Sequence, residues 1–248
     1  MRGLWRLTWL ETKIFVREPM GVVGTVGIPV VIFVVLARMV ADRVEDASRD
    51  VPAFIAGDLP ILGAMFIIAT TVLSLVTIIA IYREGGILKR LRATPLRPQT
   101  ILTAHVLVKL LFTLITLALM ILVGRNYNVG ADHVPVVSFG LALIFCTIAI
   151  VSLGFLIASI VPTARFAQPI GTVIIYPLIG MSGLFFPLEA LPPGLQVFAR
   201  VMPISYAVSL LRGVWHGEGW SSHVGDVVVL ILMFVVFTAL AAKVFRWE

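Results

Sequence analysis

Six stretches of this chain are each long and apolar enough to cross a lipid bilayer. They cover residues 20–40, 59–82, 101–123, 136–161, 166–186 and 224–243. About 20 helical residues at 1.5 Å each span the roughly 30 Å hydrocarbon layer. Composition agrees with that reading. Hydrophobic residues make up 60% of the 248 and charged residues 13%, against about 45–50% and about 25% in soluble domains. A soluble fold of this size has nowhere to hide so much apolar side chain. The expected fold class is therefore an all-α membrane protein, a single transmembrane domain over residues 1–248. The first run is long for a signal-peptide core and no A-x-A site follows it, so cleavage is not expected.

The distribution of basic residues sets the orientation. Lys and Arg concentrate in the N-terminal segment (Arg2, Arg6, Lys13, Arg17) and in the second connection (Arg83, Lys89, Arg90, Arg92, Arg97). With Arg165, Lys243 and Arg246 they outnumber Arg38, Arg43, Arg49, Arg125, Arg200 and Arg212 on the other side. The positive-inside rule then predicts both termini in the cytoplasm and a multi-pass protein of the inner (plasma) membrane. The net charge of +6 is explained by anionic lipid headgroups, and no nucleic-acid partner is expected.

Three segments between the spans carry pattern. Residues 1–18 read as a helix lying on the inner membrane surface. Its basic residues share one side, Leu4, Leu7, Leu10, Ile14 and Phe15 gather opposite, and Trp5 and Trp9 suit the headgroups. Glu11 and Glu18 fall on the apolar side and break the pattern, and Glu18-Pro19 marks a bend into the first span. Residues 82–100 form a short basic helix with Ile87, Leu88 and Leu91 on one face, ended by Thr94-Pro95 and Arg97-Pro98. It reads either as a docking element for a cytosolic partner or as a plain positive-inside anchor. Residues 186–222 are too long for a turn and too rich in proline to span. Leu195, Phe198, Ala199 and Met202 recur at helical spacing. A second short helix is expected over 204–215. Residues 182–215 therefore read as a re-entrant or interfacial hairpin on the outer side.

The chain shows little chemistry of its own. All thirteen acids fall in loops or near span ends, which argues against a proton-coupled mechanism. His133, His216 and His223 are external and scattered in sequence, lone Cys146 lies in an apolar run, and no metal site is expected. The absence of any Gly-Lys pair excludes a P-loop, so no cofactor is expected in this chain. Lys109 is the deepest charge, with His105 one turn nearer the cytoplasm on the same face. Lys109 either snorkels toward the inner headgroups or makes an internal polar or substrate contact. Small residues at Gly154 and Ala158, and at Gly180 and Gly183, suit close helix approach.

Three motifs give the chain a resemblance along its whole length. They are Arg17-Glu18-Pro19 with Pro29 downstream; Tyr82-Arg83-Glu84-Gly85-Gly86 through Leu91-Arg92-Ala93-Thr94-Pro95; and Phe186-Pro187-Leu188, Leu191-Pro192, Pro203, Tyr206 and Leu211-Arg212. Together they resemble the permease subunit of type-2 ABC exporters, the family of daunorubicin-type drug efflux permeases and polysaccharide exporters. Ile87-Leu88 departs mildly from the family's Thr-Leu-like pair. The resemblance implies a coupling helix over 83–95 seated on a separate ATP-binding subunit, with Arg83, Glu84, Gly85, Gly86, Leu88, Leu91, Arg92, Thr94 and Pro95 as its coupling residues. It implies an external gate over 186–215 built on Phe186, Pro187, Leu191, Pro192, Pro203, Tyr206 and Arg212. It also implies a second permease chain, a homodimer in preference to a heterodimer, and ATP and Mg bound by the partner subunit. Short external loops and an apolar interior favour a hydrophobic or amphipathic cargo, a drug or lipid. A stand-alone secondary transporter or channel and a non-transporting membrane scaffold are the alternatives.

Overall fold

The computed structural model describes residues 2–45, 53–86, 98–126, 136–161, 163–185 and 188–244, and every described element is helical. Helix α1 (Arg2–Arg17) ends at Glu18, which leaves the helical conformation (φ −95°, ψ 88°) before Pro19, the first residue of the short α2 (Pro19–Val22). A π-helical turn, Val23–Gly27, leads into α3 (Ile28–Glu45). The wider turn sits just before Pro29, which has no N–H to give to a regular ladder. Helices α4 (Ala53–Glu84), α5 (Pro98–Asn126) and α6 (Val136–Ile160) follow. Then come α7 (Ala164–Gly180), α8 (Pro193–Val201), α9 (Pro203–Trp215) and α10 (Val224–Val244).

Five described helical segments are long and apolar enough to cross a membrane: Pro19–Met39, Asp58–Glu84, Thr103–Arg125, Val136–Ile160 and Trp220–Val244. The run expected over 166–186 becomes α7, which has 17 residues. At about 26 Å it is a little short of the hydrocarbon thickness. It stops at Gly180, and Gly183 turns the chain with φ +85°, a left-handed conformation that glycine adopts without penalty. The pair α8–α9 is bent by 79° at its break. Met202 there is extended, as a residue preceding proline prefers to be.

Helix α4 occupies the centre and packs on α3, α5, α6 and α7. Ile61, Ile67, Leu75 and Val76 are fully buried on it. Two neighbouring α4 residues press into glycine gaps on different helices. A Cβ on Gly154 of α6 would lie 2.9 Å from Val72, and one on Gly171 of α7 would lie 2.8 Å from Leu73. Small residues at such points let helix backbones approach closely. By contrast α10 is peripheral, with only Leu230 and Ala241 buried among its described residues.

Candidate functional site

Polar side chains gather at the two ends of α4, and another group lies between its C-terminal half, α1 and α5. The first group closes α4 at Glu84. The Arg83 guanidinium donates to the carbonyls of Ala158 (3.2 Å), Ser159 (3.3 Å) and Val161. These lie at the C-terminal end of α6, where carbonyls have no partner within the helix. Glu84 Oε2 accepts the N–H of Ala164 at 2.6 Å, the first residue of α7. Gly86 ends α4 with φ +64° and donates its N–H to the Arg83 carbonyl. Of the expected coupling residues, Leu88, Leu91, Arg92, Thr94 and Pro95 lie outside the described residues.

The second group lies between α1, α4 and α5. Glu11 is buried, although it sits on a surface helix. Its Oε1 accepts from Tyr82 Oη at 3.4 Å and lies 3.7 Å from His105 Nε2. Tyr82 meets the His105 ring edge-on at 5.1 Å. Burial pushes the Glu11 carboxyl above the usual carboxylate range, and the Tyr82 hydrogen bond opposes that only in part. The apolar face of α1 divides in two. Trp5, Trp9, Leu10 and Ile14 are exposed, while Thr8, Glu11 and Phe15 turn toward the bundle. Of the two acids that spoiled the amphipathic pattern, Glu11 is thus the one that docks α1, while Glu18 is exposed.

Lys109 turns inward. It is 5% exposed, donates from Nζ to Ser74 Oγ at 2.6 Å, and lies 3.8 Å from the centre of the Phe15 ring. It sits about 9 Å of helix past Thr103. A Ser74 oxygen and an aromatic face within reach make the internal contact available, so the ammonium need not reach the headgroups. Farther along the same α4–α5 seam, Thr71 and Thr113 hydroxyls meet at 3.4 Å.

The third group surrounds the other end of α4. Asp58 is paired with Arg212 at 2.7 Å and with His216 at 3.2 Å. Arg212 also donates to the Gly183 carbonyl at 3.1 Å. His223 lies between Glu218 and Asp226, 2.8 Å from each, and Ser209 donates to Asp226 at 2.7 Å. His216 and His223, scattered in sequence, therefore share one cluster, while His133 lies outside the described residues. A cavity of about 590 Å³ opens here, lined by Asp58, Ser182, Ser205, Ser209, Arg212 and His216 among others. Among the expected gate residues, Tyr206 donates to the Arg200 carbonyl at 2.7 Å, and Ser205 beside it bonds the Ala199 carbonyl at 2.7 Å. Both hold the α8–α9 bend. Pro192 is the N-cap of α8 and Pro203 opens α9. Leu191 donates its N–H to the Leu188 carbonyl. Phe186 and Pro187 lie outside the described residues. No described group of three His, Cys, Asp or Glu could hold a metal ion.

These groups also relate α7 to α4. The start of α7 touches Glu84, and the turn after α7 touches Arg212, which pairs with Asp58 at the opposite end of α4. The two helices thus run side by side over the same layer.

The amino-acid sequence of these elements matches a known family. The family model for ABC-2 type transporters covers residues 2–215. The chain belongs to that family. It is a multi-pass membrane permease, the non-catalytic membrane part of an ABC transporter. Several curated proteins are similar to it. A daunorubicin resistance ABC transporter permease protein of Streptomyces coeruleorubidus is 22% identical over 242 residues, covering 96% of the permease and 84% of the relative. Nodulation protein J of Rhizobium leguminosarum bv. viciae is 28% identical over 119 residues, 46% of each chain. ABC transporter G family member 20 of Dictyostelium discoideum is 27% identical over 170 residues, 64% of the permease and 23% of that protein. The permease thus spans less than half the length of the nodulation relatives it matches. No solved structure matches it.

The residues missed from the sequence are the partners: Glu11 for His105, Ser74 for Lys109, Asp58 for Arg212. Each pair joins different elements, and only the misplaced Glu11 carried a signal.

Proposed function

We propose that this permease exports a hydrophobic or amphipathic molecule, a drug or lipid, using ATP hydrolysed by a separate ATP-binding subunit, and that two permease chains form the pathway. The near full-length likeness to a daunorubicin resistance permease carries this reading. ATP and Mg would be bound by that subunit, since this chain has no P-loop. We read six spans, with α7 as the fifth and both termini in the cytoplasm. In favour of counting α7, it has contacts at both ends of α4. Residues 83–95 carry the coupling segment, rooted in the end of α4 at Arg83 and Glu84 and meeting the ATP-binding subunit through the residues after Gly86, and α8–α9 forms a re-entrant hairpin on the outer side.

The sidedness is consistent with the polar groups. The basic N-terminal helix, Arg83 and the start of α5 lie together, and the Asp58–Arg212 cluster lies at the far end. The test uses inside-out vesicles holding the permease with a co-purifying ATP-binding subunit, and daunorubicin as probe. ATP-dependent accumulation of daunorubicin that needs both proteins is expected. Accumulation by the permease alone under an ion gradient would instead establish a secondary transporter. A stable complex that moves no probe and shows no permease-dependent ATPase activity would favour a scaffold.

A further inference from the structure

Adjacent residues of α4 hold the ends of two other helices. Arg83 places a cation on three carbonyls at the C-terminal end of α6. Glu84 places an anion on the first N–H of α7. Each charge complements the partial charge that the aligned peptide dipoles put at that helix end. The natural capping residue of α7, Thr163, makes no side-chain cap bond, so Glu84 takes the place of the cap from a different helix. The end of α6 and the start of α7 are therefore both held by one dipeptide. That dipeptide is the last helical part of α4 before the chain enters residues 87–97. Gly85 and Gly86 still bond back to Ile81 and Arg83, so the segment leaves α4 from a closed helix end. At its other end the segment joins α5, whose described neighbours include α1 and α3.

We infer that Arg83 and Glu84 are positioning residues that tie the inner end of α4 to the α6–α7 turn, so that displacement of residues 83–95 moves α4, α6 and α7 as one unit. This inference rests on the export reading above and adds to it the route by which the displacement spreads. It differs from the role the sequence suggested for these two residues, which was contact with the ATP-binding subunit. In the structure the Arg83 guanidinium is committed to α6 and a Glu84 oxygen to α7. Contact with the partner then falls to the residues that follow.

The experiment compares wild type, Arg83→Met, Glu84→Ala and Glu84→Gln in inside-out vesicles with the co-purifying ATP-binding subunit. Three quantities are read: subunit association, ATPase activity, and daunorubicin accumulated per ATP hydrolysed. For Arg83→Met and Glu84→Ala, association and ATPase activity stay within about twofold of wild type, and accumulation per ATP falls at least tenfold. Glu84→Gln keeps an amide oxygen that accepts the Ala164 N–H, so its accumulation per ATP stays within about threefold of wild type. A merely structural defect would not be expected to separate transport from hydrolysis in this way. Unchanged accumulation per ATP in Glu84→Ala would overturn the inference. So would loss of association in step with transport, which would return the pair to the docking surface. If the wild-type pair fails to couple ATP to accumulation, the export reading fails first. The grip itself is then tested by hydrogen exchange at the start of α7 in the permease alone: faster exchange in Glu84→Ala than in Glu84→Gln is expected, and equal exchange would overturn it.

Discussion

Gly213 offers the sharpest test of the cluster around His223. It lies buried on α9, and a Cβ there would fall 1.8 Å from His223 Nε2 and 2.6 Å from the ring carbons Cδ2 and Cε1. A side-chain tip can usually swing aside, but this one is held at both nitrogens, 2.8 Å from Glu218 and 2.8 Å from Asp226. To reach ordinary contact near 3.5 Å the ring must retreat by about 1.7 Å, which strains its bonds to Glu218 and Asp226. Overpacking costs about 1–3 kcal/mol, and a hydrogen bond to a charged group is worth about 1.5–3 kcal/mol when buried. The Glu218 contact adds little, because that carboxylate is more than half exposed. Alanine returns about 1 kcal/mol of helix propensity over glycine. Gly213→Ala should therefore destabilise by about 1.5–5 kcal/mol, a fall in Tm of roughly 3–20 °C on the scale of soluble domains of this size. In a His223→Ala background the obstruction is gone, and the same substitution becomes neutral or stabilising by up to about 1 kcal/mol. Thermal unfolding in detergent, followed by tryptophan fluorescence from Trp215 and Trp220 nearby, measures both. A Gly213→Ala protein that melts like wild type would refute the reasoning. So would an equal loss with and without His223.

Other consequences follow from the same contacts. Ser74→Ala leaves the Lys109 ammonium buried without its acceptor and should lower stability more than Lys109→Met, which removes the buried charge at similar volume; thermal melts of the two variants rank them. Gly154→Ala should cost about 1–3 kcal/mol by pressing on Val72, and Val72→Ala should recover most of it in the double variant. Glu11 faces Tyr82, His105 and Lys109, with Glu18 nearby, and its carboxyl titrates above its ordinary value because it is buried. The docked helix therefore holds its proton more tightly than a free one. Docking of α1 should strengthen as pH falls through the raised value, with the gain complete below the ordinary carboxylate range. Glu11→Gln should remove that dependence, which hydrogen exchange at Thr8 and Thr12 reports when followed from neutral pH down through the ordinary carboxylate range.

Much of the frame was legible because a bilayer demands long apolar runs and little else. The expected runs at 59–82, 101–123, 136–161 and 224–243 fall within or near α4, α5, α6 and α10. The periodic residues 195–202 and the short helix expected over 204–215 appear as α8 and α9, joined at Pro203. Periodicity did not reveal the break in the first span, where a π-helical turn precedes Pro29, nor the short α7, whose end is set by the turn at Gly183. Face assignment succeeded where a single charge had to be solvated and failed where it had a partner. His105 and Lys109 were placed on one face, but Ser74 is 35 residues from Lys109 and announces nothing by its spacing. Arg83 and Glu84 were singled out by motif, yet their contacts with Val161 and Ala164 depend on three helices meeting. The acid that disobeyed the amphipathic pattern of α1 was the best clue available, since a charge on an apolar face needs a buried reason.

On the function proposed above, ATP-driven motion enters this permease through the residues that follow α4. Photo-crosslinking from single positions in native membranes tests it most directly, with the ATP-binding subunit co-expressed. Probes at Leu88, Leu91 and Arg92 should capture that subunit, while probes at Leu195 and Val201 on α8 should not. Capture from α8, or none from residues 88–92 in a complex that still hydrolyses ATP, would contradict the claim.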